Sequence, residues 1–234
     1  MRMVLCGLAV LGWLVAGLAQ AAVTPRTVAD GFEKTVFRSE YPGLAFGAPY
    51  VRKFRGEVRV WVTSTGRRDR RRTVERFARS LAARVRGLRV RIVASEREAN
   101  FRVFVVDRRQ YARTVRLRVY RNSSAPVRGR CMVRSLFSRS GIRRSDAVIV
   151  GDEGERLFRR CMAEEFMQGL GPLNDDTSLR HSMFNDRTRF TRPTRFDIAI
   201  LNALYDRRIR NGMSLLEARR VLPRVAREAL RRAR

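Results

Sequence analysis

The chain has 234 residues, of which 44% are hydrophobic, and this is enough for one domain with a buried core. Its 51 lysine and arginine residues outnumber 22 acidic residues and give a formal net charge of +29 at pH 7. The single histidine, His181, excludes a metal site built from two or more histidines.

Residues 1–21 have the pattern of a secretory signal peptide. Arg2 supplies a positive start, residues 4–18 are apolar, and Ala19-Gln-Ala21 fits a small-x-small cleavage site. The pattern predicts an exported protein of the periplasm or cell envelope, with no transmembrane anchor after cleavage. We interpret residues 22–54 as an extended N-terminal arm and residues 55–234 as a single domain.

The positive charge is almost entirely arginine, since Lys34 and Lys53 are the only lysines. Export favours anionic envelope components over nucleic acid as partners of such a surface. The arginines are scattered through every predicted element, so a solvated arginine-rich surface without a partner is the alternative.

Cysteine usage points to one crosslink. Cys131 and Cys161 remain after signal cleavage, and an even number in an oxidising compartment predicts a disulfide between them. Two buried free thiols are the alternative.

The arm is interrupted by prolines and glycines, with one short helix near residues 28–37 and aromatic anchors at Phe32, Phe37, Tyr41 and Phe46. Alternation of valines predicts a strand over residues 56–64, and apolar spacing of three and four predicts a helix over 74–85. Further strands are predicted at residues 88–93, 101–106, 131–137 and 147–150, with a possible short strand at 115–119.

The last third of the sequence predicts helices. They span residues 155–170 and 196–205, separated by a polar loop. Ser214 and Glu217 form a capping box that opens a helix running to Pro223, where it kinks or restarts. The basic segment 224–234 then forms a tail that either touches an anionic membrane or is a solvated helix end. This order predicts an α+β fold with a twisted mixed sheet packed against helices.

The most informative stretch is the helix over residues 155–170. Glu164 and Gln168 are four residues apart and share a face, and Glu165 lies beside them. Gly171 and Asn174 follow at intervals of three. This is the spacing of the zinc-protease helix His-Glu-x-x-His-x-x-Gly-x-x-His, with every histidine replaced.

Residues 161–205 resemble the matrixin branch of the metzincin zinc proteases. The segment 181–186, His-Ser-Met-Phe-Asn-Asp, stands where those proteases have a Met-containing turn, and residues 196–205 match their last helix. Residues 99–104 resemble a strand that precedes the zinc helix. The resemblance implies a metzincin-like scaffold, with Glu165 at the general-base position and the zinc-ligand positions occupied by Glu164, Gln168 and Asn174.

A more specific resemblance is to a bacterial family, domain of unknown function 2927. It is carried by the Glu-Glu-x-x-Gln-x-Leu-Gly-x-x-Asn-Asp run at 164–175, the Ser-x-Phe-Asn-Asp loop and the Leu-Tyr-Asp…Gly-Met-Ser segment. The resemblance implies an exported or lipoprotein-like protein.

The residue types at the ligand positions argue against zinc chemistry. Glu164, Gln168 and Asn174 offer one charge and two amide oxygens, a weak set for zinc. Asp175 adds charge without the spacing of a calcium loop. We therefore predict no bound metal and no cofactor.

Three interpretations of this helix remain. The residues form a hydrogen-bonded network that holds the helix to the loop, or they line a cleft where an edge strand at 101–106 pairs with an extended peptide. A hydrolase with Glu165 as general base and an unconventional metal is the rival. Glycan hydrolysis by Glu164 and Glu165 is disfavoured because adjacent helical positions point in different directions. The sequence thus predicts a non-catalytic binding or structural protein.

Overall fold

The structure, a computed structural model, describes residues 23–38 and 50–233. The predicted signal peptide and the anchors Tyr41 and Phe46 lie outside the described residues. The helices, in chain order, are α1 Pro25–Phe37, α2 Arg71–Arg84, α3 Arg108–Thr114, α4 Glu155–Gly169, α5 Arg195–Leu204 and α6 Leu215–Arg232. The strands are β1 Val58–Ser64, β2 Val90–Ile92, β3 Phe101–Val106, β4 Cys131–Ser138 and β5 Gly141–Val150.

The strands form one mixed sheet in the order β2-β1-β3-β5-β4. The first four of these run parallel, and β4 is antiparallel to β5. A mixed sheet with helices packed on it confirms the predicted α+β class.

Helices cover both faces of the sheet, and the alternation of side chains along each strand separates two apolar clusters. The larger cluster includes Val103 and Ala147 and packs against α1, α2, α4, α5 and α6. The smaller one includes Phe104 and Val148 and packs against α3 and the turn that follows it. Among the described residues, no helix is long and apolar enough to cross a membrane.

The prediction of an edge strand at residues 101–106 is wrong. All six residues of β3 are buried, and β3 lies in the centre of the sheet between β1 and β5. A run of apolar residues identifies a buried strand, but its neighbours are set by contacts distant in sequence. The edges of the described sheet are β2 and β4.

The short strand predicted at residues 115–119 is also wrong, because Val115–Tyr120 is a π-helix that continues α3. Val115 and Val119 are buried, whereas Leu117 is 51% exposed. The two buried residues are four positions apart, and the residue midway between them is exposed. This pattern fits a helical turn, because alternate residues of a strand would all lie on one face.

The first and last of the described helices, α1 and α6, pack against each other. The predicted capping box of Ser214 and Glu217 is confirmed at the start of α6. Pro223 lies inside α6, so the helix does not restart there. The predicted basic tail is the second half of this helix, and its inner face is buried against α1 and α5, at Val225, Ala226, Ala229 and Leu230. Phe32 of α1 is fully buried in the same cluster, as predicted.

The predicted disulfide is present and joins the sheet edge to the central helix. Cys131 begins β4 and Cys161 lies in α4, with a Cα–Cα distance of 5.7 Å. It closes a loop that contains the whole β4–β5 hairpin.

We expect the disulfide to make a large contribution to stability. Replacing both cysteines by alanine should lower the free energy of unfolding by about 3–4 kcal/mol, because the sequence separation of 30 residues gives a long closed loop in the unfolded chain. Urea unfolding of the variant and of the wild type measures this loss. The control is reduced wild type, which should unfold near the midpoint of the variant. An unchanged midpoint in the variant would contradict the expectation.

Candidate functional site

Three of the five candidate residues lie on the second half of α4, which is buried on all sides. From Cys161 to Gly169 every residue of α4 is buried, including Glu164, Glu165 and Gln168. Polar side chains in such a position need hydrogen-bond partners, because burial removes their water. The hydrogen-bond partners of these side chains therefore indicate whether α4 has a structural, binding or catalytic role.

Close packing on the sheet fixes the position of α4. The ring of Phe166 stacks on Phe101 with 4.5 Å between centroids. Gly169 approaches the sheet so closely that a Cβ atom there would lie 2.6 Å from the Phe101 ring. The Ser145 hydroxyl donates a 2.7 Å hydrogen bond to the Gly169 carbonyl. The last turn of α4, with Gln168, is thus held against β3 and β5.

Glu164 forms an ion pair on its own helix. The Nε atom of Arg160, one turn earlier, lies 3.2 Å from the Glu164 carboxylate. A terminal nitrogen of the same guanidinium donates to the carbonyl of Asp186 in the following loop. Arg160 therefore connects α4 to the loop, a role that the sequence analysis missed. The i,i+4 spacing predicts the pair with Glu164, but nothing local predicts the loop contact.

Asn174 anchors the loop to the N-terminal helix α1. Its main-chain N–H donates to the Thr35 carbonyl at 3.2 Å, and its side-chain amide donates to the carbonyls of Lys34 and Asp175 at 3.0 and 2.9 Å. These acceptors are main-chain carbonyls at the end of α1 and in the loop itself. Asp175 is half-buried beside it. The amide of Asn174 thus stabilises the loop through backbone contacts.

The Met-containing turn is held by Asp197, near the start of α5. Its carboxylate accepts hydrogen bonds from the Ser182 hydroxyl at 2.6 Å, from the Met183 N–H, and from the N–H and hydroxyl of Thr194. Thr194 and Asp197 also form the capping box of α5. Burial raises the pKa of the Asp197 carboxyl from 3.8 to about 6, although these donors lower it in part.

Two contacts join the ends of α4 and α5 to their surroundings. The Tyr205 hydroxyl donates to the Leu170 carbonyl at 3.0 Å, and burial raises the pKa of this tyrosine. The Lys53 ammonium donates to the carbonyl of Leu204, the last residue of α5, and to that of Asp206 just beyond it. Burial lowers the pKa of Lys53 to about 8. These groups satisfy helix-end carbonyls that would otherwise lack partners.

The described residues do not form a metal-binding cluster of the usual kind. Across residues 23–38 and 50–233, no three histidine, cysteine, aspartate or glutamate side chains are grouped to hold an ion. Metal content itself stays a prediction.

A family model described as "Protein of unknown function (DUF2927)" matches residues 25–224. The chain belongs to this family. The matched span begins at the first residue of α1 and ends within α6, so it includes every candidate residue on α4 and in the following loop. No curated protein matches the chain. The resemblance to zinc proteases stays a prediction.

We expect Asp197 to make stability depend on pH. Because its folded-state pKa is raised, the folded protein binds the proton more tightly, so this contribution is present below pH 4 and is lost as pH rises through about 6. The free energy of unfolding of wild type relative to Asp197→Asn should therefore increase by about 2–3 kcal/mol between pH 7 and pH 4.

Urea unfolding of both proteins at the two pH values measures this difference. Titrations of other groups cancel in the comparison, and the loss of hydrogen bonds in the asparagine variant is common to both pH values. A difference that does not change with pH would contradict the raised pKa.

Proposed function

We propose that the protein is an exported, non-catalytic binding module of the bacterial envelope, built on a metzincin-like scaffold, and that it holds an extended peptide along β4. The observation that carries the peptide role is the outer edge of β4, which is unpaired within the described sheet and adjoins α4. The sequence predicts that an extended peptide pairs with residues 101–106. Because β3 lies in the centre of the sheet, the proposal places the peptide on β4 instead.

The outer edge of β4 presents main-chain groups at alternate residues. The Val150 N–H donates to the Arg130 carbonyl, which sets the phase of hydrogen bonding between β4 and β5. In the register Cys131↔Ile149 and Val133↔Ala147, the N–H and C=O groups of Val133 and Ser135 then point away from β5. Such groups are the donors and acceptors that pair with an added strand.

The side of β4 that faces α4 offers apolar contacts for alternate peptide side chains. Val133 and Phe137 are half-buried and pack against the larger cluster. The guanidinium of Arg52 lies over the Phe137 ring at 4.8 Å from its centroid. Arg52 is itself buried, with 1% of its surface exposed. An extended peptide with apolar side chains at alternate positions therefore suits this side of β4.

The metzincin-like scaffold is supported by the order of elements around α4. The helix is followed by a loop, by the buried turn at Met183 and by α5, as the resemblance implies. Asp197 and Tyr205 link this turn and α4 to α5.

The absence of catalysis is supported by what the ligand positions do. Glu164 is paired with Arg160, and the Asn174 amide is committed to main-chain carbonyls. A zinc peptidase needs three strong ligands and an open position for a water.

Peptide binding should depend on the N–H of Val133. Replacing Val133 by proline removes an outward donor and leaves the ladder with β5 intact. Peptides selected from a randomised phage-displayed library on wild type should bind the Val133→Pro variant at least about tenfold more weakly, as a fluorescence-polarisation titration measures.

The matched control is Val133→Ala, which loses the same side-chain packing and keeps the N–H. It should bind the selected peptides with nearly wild-type affinity. Equal losses in the two variants, or selection of no peptide by wild type, would refute pairing along β4.

The non-catalytic role predicts a metal-free protein. Purified wild type should contain far less than one equivalent of zinc, and it should not cleave unstructured casein above the level of Glu165→Ala. Elemental analysis and a fluorescent casein assay provide the measurements. About one equivalent of zinc, with cleavage abolished in the variant, would establish the rival hydrolase with Glu165 as general base.

A further inference from the structure

A line of arginines runs along the outer face of α6. Four residues spaced by four, three and four positions share one helical face: Arg220, Arg224, Arg227 and Arg231. With Pro223 and Glu228 they line a shallow concavity of about 430 Å³. We refer to these four arginines as the arginine stripe.

Most of the stripe carries uncompensated positive charge. Glu228, the only acidic residue among the described residues that line the concavity, is engaged by Arg208 at 2.6 Å and more loosely by Arg224 and Arg232. Within residues 23–38 and 50–233, Arg220, Arg227 and Arg231 form no ion pair. Arg220 interacts at longer range with Glu217, three residues earlier. The three guanidinium groups together still present a net positive charge to solvent and attract anions.

The packing of α6 fixes the direction in which the stripe points. The opposite face of the helix is buried against α1 and α5, at Ala218, Leu222, Val225, Ala226 and Ala229. The helix cannot rotate or leave the domain without exposing this apolar surface. The arginines are therefore presented as a fixed row, and residues 216–231 extend over roughly 22 Å.

An exposed leucine continues the same row. Leu216 lies one turn before Arg220 and is 67% exposed, the most exposed of the large hydrophobic residues described. A basic row with an apolar residue in line matches a surface that combines negative charge with an apolar phase. A membrane with anionic lipids provides both, through its headgroups and its acyl chains, whereas a nucleic-acid backbone provides only the charge.

We propose that the arginine stripe and Leu216 dock α6 flat on a membrane surface that contains anionic lipids. This role is separate from peptide binding along β4 and does not depend on it. Each arginine near such a surface contributes roughly a fivefold gain in affinity, so the three uncompensated arginines together contribute about 100-fold.

Vesicle co-sedimentation tests the proposal. Wild type should bind vesicles of phosphatidylcholine with phosphatidylglycerol and should not bind pure phosphatidylcholine. The variant with Arg220→Gln, Arg227→Gln and Arg231→Gln should bind the anionic vesicles about 100-fold more weakly. Leu216→Ser should weaken binding further without any change in charge.

The matched control removes the same charge from the other face of the sheet. Arg109, Arg113 and Arg128 are exposed and form no ion pair within the described residues, and Arg109 and Arg113 belong to α3. Their triple replacement by glutamine should leave vesicle affinity within a few-fold of wild type. Both triple variants should unfold near the wild-type temperature, because none of these side chains forms a hydrogen bond or ion pair with the residues that the structure describes.

Equal losses in the two triple variants would overturn the proposal, since binding would then follow total charge alone. Loss of double-stranded DNA binding in the stripe variant, with vesicle binding unchanged, would assign the stripe to nucleic acid instead.

Discussion

The buried carboxylate of Asp197 is the contact on which the geometry around α4 depends. It caps α5 through Thr194 and at the same time holds the turn at Ser182 and Met183. The Phe184 carbonyl of this turn accepts from the Asp176 N–H, which places the loop that carries Asn174 against α1. A fully buried carboxylate is costly without donors, so each of these donors is required, and together they order a loop that has no regular secondary structure.

The same arrangement supports the binding or structural role that we propose for the candidate residues. In a zinc peptidase the metal would connect the helix to the loop. Here Arg160 makes this connection between Glu164 and the Asp186 carbonyl, and Asn174 connects the loop to α1. Tyr205 adds a bond from α5 to the end of α4. The helix and loop are therefore held together by hydrogen bonds within the protein, and the side chains of Glu164 and Asn174 take part in them.

Local chemistry made much of this fold predictable, and long-range contacts account for the errors. The α6 start was predictable because a capping box involves only Ser214 and Glu217, and the disulfide followed from the two cysteines beyond the predicted signal peptide. The central place of β3 was not predictable, because it depends on β1 and β5 from distant parts of the chain. The strand predicted at residues 115–119 was wrong for another reason. Apolar residues that alternate with arginines over only five positions fit a strand and a helical turn equally well.

At the candidate site the spacing of Glu164, Gln168 and Asn174 located the right helix and loop, but it did not reveal their partners. The contact from Arg160 to Asp186 crosses 26 residues and has no sequence signal. The role of Asp197, in contrast, has a sequence signal, because Thr194 and Asp197 have capping-box spacing.

The distribution of acidic residues determines where the positive charge of this arginine-rich surface stays unbalanced. Many arginines are neutralised structurally, as where Arg102 and Arg144 share Asp146 and Arg219 pairs with Glu33. Acidic residues are scarce in this chain, so a region that is left without them is left with a net field. Of the two carboxylates on α6, Glu217 caps the helix with Ser214. Glu228 is already shared by Arg208, Arg224 and Arg232. The local shortage of acidic residues distinguishes the stripe more than its number of arginines does. The stripe also lies beside an exposed leucine, on a helix whose direction is fixed by packing against α1 and α5.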